Sequence, residues 1–207
     1  MKVLVLTHRL PYAPNRGDRV RAHHIVKLLA ARADVRVVSL VHDRDEAAQA
    51  NTLRLLGVGV TTAMVPRRRN LVTAALALPT DTPLTHALLH APAMRGAIET
   101  ATKRWFPDVV LAYCTGVAPL ALAPPLDEVP LVLDVVDVDS AKWAAFAETT
   151  RFPRAWIYRR EARCLGAFEA TLANEARRHG CDGVICGHIH YATIHDEHGI
   201  RYMNCGD

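Results

Sequence analysis

Short apolar runs alternate with amphipathic segments along most of the chain. Five of these runs have the length and the β-branched content of buried strands, and they end at Gly, Pro or polar residues. They cover 3–6, 35–41, 57–65, 108–112 and 131–136. Between them, apolar residues recur at helical spacing, as Val20, Ile25 and Leu28 do after the candidate N-cap Asp18. Strands that alternate with helices predict βαβ units, and therefore an α/β fold with a parallel, Rossmann-like sheet.

The helical segments are less regular than the strands. Asp43 is expected to cap one helix that runs to Leu56. Another helix is expected over 86–104 in spite of Pro92. Arg159, Arg160 and Arg163 form a basic face on a long helix that opens near 152, and such a face is typically solvated.

After Glu169 the pattern changes. A polar helix ends near Gly180, a short buried strand covers 183–186, and two further strands around a polar turn predict a β-hairpin over 191–204. The chain is therefore expected to divide into a Rossmann-like domain over 1–168 and a short C-terminal β-hairpin segment over 169–207.

Three connections follow predicted strands and therefore lie at the edge where parallel sheets bind ligands, namely 8–17, 113–116 and 137–140. The first contains neither G-x-G-x-x-G nor a P-loop. It carries instead a cationic rim around Gly17, made of His8, Arg9, Arg16, Asp18, Arg19 and Arg21. A helix that opens at such a loop predicts binding of a phosphate-bearing ligand.

The third connection carries carboxylates at the end of the fifth strand. Asp137 is the candidate general base, and Asp139 is a candidate for binding a substrate hydroxyl. Two alternatives stay open for this segment. Asp139 or Ser140 caps the next helix, or the Asp-x-Asp pair forms part of a metal site.

Two histidines near the C-terminus form a second candidate site. His188 and His190 follow Gly187, and an extended backbone turns both imidazoles to the same side. Imidazole is a common ligand of zinc and other transition metals, so the pair predicts part of a metal site.

Composition narrows the class of protein. The chain has 207 residues, 50% of them hydrophobic and 22% charged, with a formal net charge of +4. No basic stripe carries interleaved aromatic residues, so no nucleic-acid partner is expected. Neither a leader nor a membrane span is recognisable, and the five cysteines are expected to be reduced thiols. We expect a cytoplasmic protein, or one peripheral to the inner membrane, and the oligomeric state stays open.

Three stretches resemble family-4-like glycosyltransferases, in particular the sugar transferases of exosortase (PEP-CTERM) gene clusters. They are THRLPYAPNRGDRVRAHH at 7–24, LDVVDVDSAKWAAFA at 133–147 and WIYRREAR at 156–163. The resemblance implies that 1–168 form the acceptor-side, N-terminal half of a GT-B fold. It also implies retaining transfer in exopolysaccharide biosynthesis, without an obligatory metal cofactor. The partners would be a nucleotide-sugar and a glycan or lipid-linked acceptor.

The same resemblance assigns roles to residues. Arg16, Gly17 and Asp18 would line the acceptor side and approach the donor phosphates, with Arg9 and Asp139 as further substrate contacts. Asp137 would be the catalytic group beside the sugar. No donor-binding domain matches the rest of the chain, so sugar transfer is expected only when such a domain is supplied.

The segment 175–207 resembles the end of a calcineurin-like metallophosphoesterase of the type that hydrolyses UDP-2,3-diacylglucosamine. The matching stretches are EARRHGCDGVICGHIHYATIH and GIRYMNCGD. The resemblance implies that His188 and His190 are ligands of a dinuclear centre, with Mn²⁺ or another divalent metal as cofactor only in a complete site. The family's earlier motifs are absent. Phosphoesterase activity is therefore the alternative function, and a non-catalytic fusion fragment is the third.

Overall fold

A parallel sheet of five strands forms the centre of the fold, and its strand order is β3-β2-β1-β4-β5. The strands are β1 Lys2–Thr7, β2 Asp34–Val41, β3 Gly59–Met64, β4 Val109–Tyr113 and β5 Leu131–Asp134. The structure is a computed structural model, and it describes residues 1–12, 17–136, 138–178, 183–186, 193–197 and 200–204. The predicted α/β class with a Rossmann-like sheet is confirmed.

Helices alternate with these strands and continue after them. They are α1 Gly17–Ala30, α2 Arg44–Ala48, α3 Ala50–Arg54, α4 Arg67–Ala77, α5 Leu84–Leu89, α6 Pro92–Thr102, α7 Ala118–Ala121, α8 Asp139–Thr149 and α9 Arg154–Arg178. A 3₁₀ turn over Thr115–Val117 precedes α7. No helix in the described parts of the chain is both long enough and apolar enough to cross a membrane.

The register of the sheet fixes which residues meet at its carboxyl edge. Thr7, the last residue of β1, lies opposite Ser39 of β2 and Tyr113 of β4. Successive residues of β1 point to opposite faces of the sheet. Both faces are covered by apolar side chains, and for this reason the strands are nearly continuous hydrophobic runs.

Each face of the sheet has its own hydrophobic cluster. On one face Leu4 and Leu6 pack with Met94 and Ile98 of α6 and with Trp105. On the other face the fully buried cluster is Val3, Val5, Leu10, Val26 and Leu53 with their neighbours. Leu10 belongs to the connection after β1, so this connection returns into the core before α1 begins.

A second, smaller sheet follows α9. It consists of β6 Gly183–Cys186, β7 Thr193–Glu197 and β8 Ile200–Asn204, in the order β6-β8-β7. β7 and β8 pair antiparallel, which confirms the predicted hairpin, whereas β6 pairs parallel to β8.

The chain groups into two compact units. Unit 1 comprises Met1–Thr73 and Leu88–Leu133, and unit 2 comprises Ala74–Ala87 and Asp134–Asp207. Unit 1 contains the five-stranded sheet up to Leu133, and unit 2 contains α8, α9 and the small sheet. The division into 1–168 and 169–207 stays a prediction.

Several element boundaries differ from the expected ones, and Asp18, the expected N-cap, lies within α1. The helix expected over 43–56 is divided into α2 and α3. The helix expected over 86–104 is interrupted before Pro92, which opens α6 because proline lacks the N–H that a helix interior requires. Strand β5 ends at Asp134 rather than at 136, since Val136 has a positive φ of 64°.

Candidate functional site

The candidate site lies at the carboxyl edge of the sheet in unit 1, between β1 and β4. The chain runs from β1 outward to β2 and β3, and then returns to the other side of β1 to form β4. At such a switch point the connections after the two central strands leave in opposite directions, and a crevice opens between them. Thr7 and Tyr113 are the paired residues at this point.

The connection after β1 is held in place from the side of β2. His42, just beyond β2, has its Nε2 3.1 Å from the carbonyl oxygen of His8. A carbonyl only accepts hydrogen bonds, so this nitrogen carries the proton. The carboxylate of Glu46 in α2 accepts the backbone N–H of Leu10 at 3.1 Å. The same carboxylate accepts the N–H of His42 at 2.7 Å.

Two side chains of α1 hold the connection from the other side. His23 Nδ1 lies 3.1 Å from the carbonyl oxygen of Pro11. Arg19 donates to the hydroxyl of Tyr12 at 2.8 Å and to Glu46 Oε1 at 2.9 Å, and its guanidinium stacks over the Tyr12 ring. The connection over 8–12 is thus fixed by side chains of α1, of α2 and of the turn between β2 and α2.

At the end of β4 the backbone adopts an unusual conformation. Cys114 has φ 82° and ψ 156°, a region that is almost restricted to glycine. Its neighbour Thr115 is fully buried. A Cβ added to Gly116 would lie 2.5 Å from Cδ1 of Leu89, so the end of the Leu89 side chain would have to move to admit a larger residue. Strained backbone at a ligand-binding edge is typical of functional sites.

Rings and cations lie beside this turn. The His8 ring is parallel to the Tyr113 ring within 9°, with 6.4 Å between the centroids. The guanidinium carbon of Arg21 lies 6.0 Å from the Tyr113 centroid. Tyr113 is buried, while His8, Arg9 and Arg21 are half-buried. The edge therefore presents positive charge next to the strained turn.

The end of β2 contributes an acidic group. Asp43 caps α2 by accepting the N–H of Glu46 at 2.7 Å, which confirms its predicted role as a cap. The residue is exposed, and its carboxylate has a second oxygen. A carboxylate, neighbouring cations and the N-terminus of α1 at one sheet edge can bind the hydroxyl and phosphate groups of a ligand.

The predicted residues of the first connection have mixed outcomes. Arg9 is half-buried in the connection, and Gly17 and Asp18 are the first two residues of α1. Arg16 lies outside the described residues. The expectation that Arg19 lies on the ligand-binding rim is wrong, because its guanidinium is buried against the carboxylate of Glu46.

The carboxylates near β5 belong to unit 2. Asp137 lies outside the described residues, and Asp139 is the first residue of α8, where it accepts Lys142 Nζ at 2.7 Å. Neither Asp139 nor Ser140 caps α8 with its side chain; the carboxylate of Glu169 accepts both the N–H and the hydroxyl of Ser140.

The predicted metal ligands His188 and His190 also lie outside the described residues. Within the described residues, no group of three or more His, Cys, Asp or Glu side chains is close enough together to hold a metal ion.

Unit 2 contains a buried ion pair where a solvated basic face was expected. Arg160 is 6% exposed and donates to the carbonyl oxygens of Ala77, Leu78 and Thr82. Glu161 accepts the N–H groups of Leu84 and Thr85 at the start of α5. The prediction that Arg160 is solvated is therefore wrong.

Arg163, one turn along α9, does face solvent. Its hydrogen bond to Asp81 raises the pKa of the Arg163 guanidinium.

Sequence reasoning did not find Glu46, His42, His23 or the backbone strain at Cys114. Arg19 and Glu46 are 27 positions apart, and no local pattern marks them as partners. A weak signal does exist at Glu46, because it lies three positions after the cap residue Asp43, which is the spacing of a capping box.

Comparisons with known proteins give no family. No protein-family model and no curated protein matches the sequence. Among solved structures, an E. coli K-12 putative oxidoreductase is 15% identical, with 90% of this chain and 74% of that chain covered and a TM-score of 0.47. Acetoin dehydrogenase from Salmonella typhimurium is also 15% identical, with 99% and 85% covered and a TM-score of 0.47.

A third similar structure is L-sorbose reductase from Gluconobacter frateurii in complex with NADPH and L-sorbose. It is 15% identical, with 89% of this chain and 67% of that chain covered and a TM-score of 0.43. Similarity at this level concerns the path of the chain and carries no argument about the reaction.

These findings overturn both resemblances. All three of these similar structures are oxidoreductases, and none is a glycosyltransferase or a metallophosphoesterase. We withdraw the expectations of retaining sugar transfer in exopolysaccharide biosynthesis and of phosphoester hydrolysis, because none of the comparisons supports either activity. The same holds for the expected nucleotide-sugar and glycan or lipid-linked partners, and nothing supports Mn²⁺ as a cofactor. The GT-B label has no support beyond the Rossmann-like sheet itself.

Proposed function

We propose that unit 1 is a nucleotide-binding domain whose ligand lies at the switch point between β1 and β4. The observation that carries the proposal is the strand order β3-β2-β1-β4-β5 of the parallel sheet. In this arrangement, nucleotides bind across the crevice outside the carboxyl ends of the central strands.

Asp43 is the proposed contact to the ribose. It is exposed just beyond the carboxyl end of β2, the strand next to β1. In Rossmann-type domains an acidic residue near this point accepts hydrogen bonds from ribose hydroxyls. Its role as the cap of α2 fixes the carboxylate in position, which lowers the entropic cost of binding a hydroxyl.

The first turn of α1 is the proposed phosphate contact. α1 opens at Gly17, on the carboxyl side of β1, and its first N–H groups have no partners within the helix. Arg9 and Arg21 supply positive charge at the same edge. Gly17 and Asp18 keep their predicted place beside the ligand in this proposal, with the backbone rather than a glycine-rich motif as the phosphate contact.

The pyrophosphate of a nicotinamide dinucleotide does not fit this connection in the usual way. That group requires a tight glycine turn directly after β1. Here His8, Arg9 and Leu10 occupy the positions after the strand, and Leu10 is fully buried. The connection after β1 therefore gives no support to hydride transfer, and the function we propose is nucleotide binding.

Calorimetry of the full chain with ADP, and separately with NADH and UDP, tests the proposal. We expect saturable binding of ADP. Replacement Asp43→Asn retains a good helix cap but removes the charge, and it should weaken ADP binding about tenfold, as for loss of a charge-assisted hydrogen bond.

Asp45→Asn is the matched control. Asp45 is exposed in the first turn of the same helix, so its replacement removes the same charge without touching the proposed ribose contact. ADP affinity should stay within about twofold of the wild type. Absence of binding by all three nucleotides would contradict the proposal, and equal weakening by both variants would contradict the role of Asp43.

A further inference from the structure

We infer that Glu46 is the positioning residue of the nucleotide site: its carboxylate fixes the connection after β1 in the shape that the ligand requires. The inference rests on the proposed nucleotide binding. It adds a residue that does not touch the ligand and acts through the backbone that does.

The contacts of Glu46 link α2 to the connection after β1, to α1 and to the turn after β2. One oxygen, Oε1, accepts the backbone N–H of Leu10 at 3.1 Å and Arg19 at 2.9 Å. The other oxygen, Oε2, accepts the backbone N–H of His42 at 2.7 Å. The residue is only 2% exposed, so water does not replace these partners.

His42 extends this network back to the connection. Its backbone is held by Glu46, and its imidazole Nε2 donates to the carbonyl oxygen of His8. Glu46 therefore acts on two points of the connection, directly at Leu10 and through His42 at His8. Both points follow Thr7, the last residue of β1, which is paired with Tyr113 of β4 at the switch point.

The network replaces what a glycine turn does elsewhere. A tight glycine turn is fixed by its own backbone geometry, whereas a longer connection with side chains has many accessible shapes. If such a connection adopts one conformation only when the ligand binds, the entropic cost lowers the affinity; a connection that is already fixed avoids this cost. The contacts of Glu46 fix the connection before the ligand binds.

Only a carboxylate satisfies all three donors. Each of the two oxygens faces at least one N–H group. In Glu46→Gln the amide NH₂ must replace one of them, and either orientation places a donor against a donor. A buried donor left without an acceptor is strongly unfavourable, so the connection is expected to leave its position.

The test compares Glu46→Gln with Glu161→Gln in the full chain, with ADP as the probe. Glu161 is a close match in chemistry: it is 2% exposed, accepts two backbone N–H groups and pairs with an arginine. It belongs to unit 2, so its replacement reproduces the loss of a buried carboxylate without altering the connection after β1.

Glu46→Gln should raise the Kd for ADP about tenfold, as expected when only about a tenth of the molecules retain the binding-competent connection. Glu161→Gln should lower the unfolding midpoint but leave the Kd within about twofold of the wild type. Unchanged affinity in Glu46→Gln, or equal weakening in both variants, overturns the inference.

A second measurement keeps the two proposals distinguishable. Hydrogen exchange at the amide of Leu10, without ligand, should be faster in Glu46→Gln than in Glu161→Gln. If the wild type binds no nucleotide, the proposed function is refuted, and with it the expected effect of Glu46→Gln on affinity. If hydrogen exchange at Leu10 is unchanged in Glu46→Gln, the role of Glu46 in positioning the connection is refuted separately. Should Glu46→Gln fail to fold, Tyr12→Phe serves in both measurements with a smaller expected effect. It removes the hydroxyl that holds Arg19 to the connection and leaves the bond between Arg19 and Glu46 in place.

Discussion

Two buried glutamates organise backbone in the two units. Glu46 accepts N–H groups of Leu10 and His42 in unit 1, and Glu161 accepts N–H groups of Leu84 and Thr85 in unit 2. Each is accompanied by a buried arginine. Because a buried charge without partners is costly, each glutamate ties the position of a loop to the integrity of its unit.

Cys114 provides a prediction at the scale of one residue. Its φ of 82° and ψ of 156° suit glycine and strain any residue with a Cβ. Cys114→Gly should therefore be more stable than Cys114→Ala by about 1 kcal/mol, since both variants lose the sulfur but only the glycine relieves the strain. Urea unfolding of both variants measures the difference, and an alanine variant of equal or higher stability would refute the strain.

At the scale of elements, the buried Arg160 attaches α9 to the segment between α4 and α5. Arg160 donates to carbonyl oxygens of Ala77, Leu78 and Thr82, which follow or end α4. Carbonyl groups at a helix end have no partners within the helix, so they can accept from a cation. The contact thus closes the end of one helix with the side chain of another.

Arg160→Ala should lower the free energy of unfolding by about 3–5 kcal/mol, because it leaves Glu161 buried without its charged partner. Arg163→Ala is the control on the same helix, since Arg163 and its partner Asp81 are both exposed, and its unfolding midpoint should barely change. Urea titrations followed by circular dichroism measure both. Equal effects of the two replacements would show that the buried contacts of Arg160 carry no special weight.

At the scale of the whole molecule, the positive net charge of the protein attracts the phosphates of a nucleotide but not its uncharged nucleoside. The chain carries a formal net charge of +4 at pH 7, and an anionic ligand is attracted by that field. Salt screens this attraction over about 8 Å at physiological ionic strength.

ADP binding is therefore expected to weaken several-fold between about 50 mM and 500 mM NaCl, whereas binding of uncharged adenosine should hardly depend on salt. Calorimetry at the two salt concentrations tests the expectation. Parallel salt dependence of ADP and adenosine would mean that the phosphates contribute no electrostatic attraction.

The local pattern of apolar residues was sufficient to predict the strands, but not the helix boundaries or the candidate site. The runs at 3–6 and 35–41 predicted strands correctly because burial on both faces leaves a continuous apolar sequence. Asp43 was recognisable as a cap because capping involves residues three positions apart. The family resemblances were misleading, since short similar stretches do not reveal what surrounds them in the fold.

The sequence alone determined the five strands of the parallel sheet and their alternation with helices, the hairpin of β7 and β8 and the excess of positive charge. These follow from periodicity and composition, which act over a few neighbouring residues. Only the tertiary structure decided that Arg19 and Arg160 are buried ion-pair partners and not ligand-binding or solvated cations. Glu46 lies 27 positions from Arg19, and the carbonyl oxygens that accept from Arg160 lie up to 83 positions away, although its partner Glu161 is adjacent. Only packing of the helices brings the distant groups together.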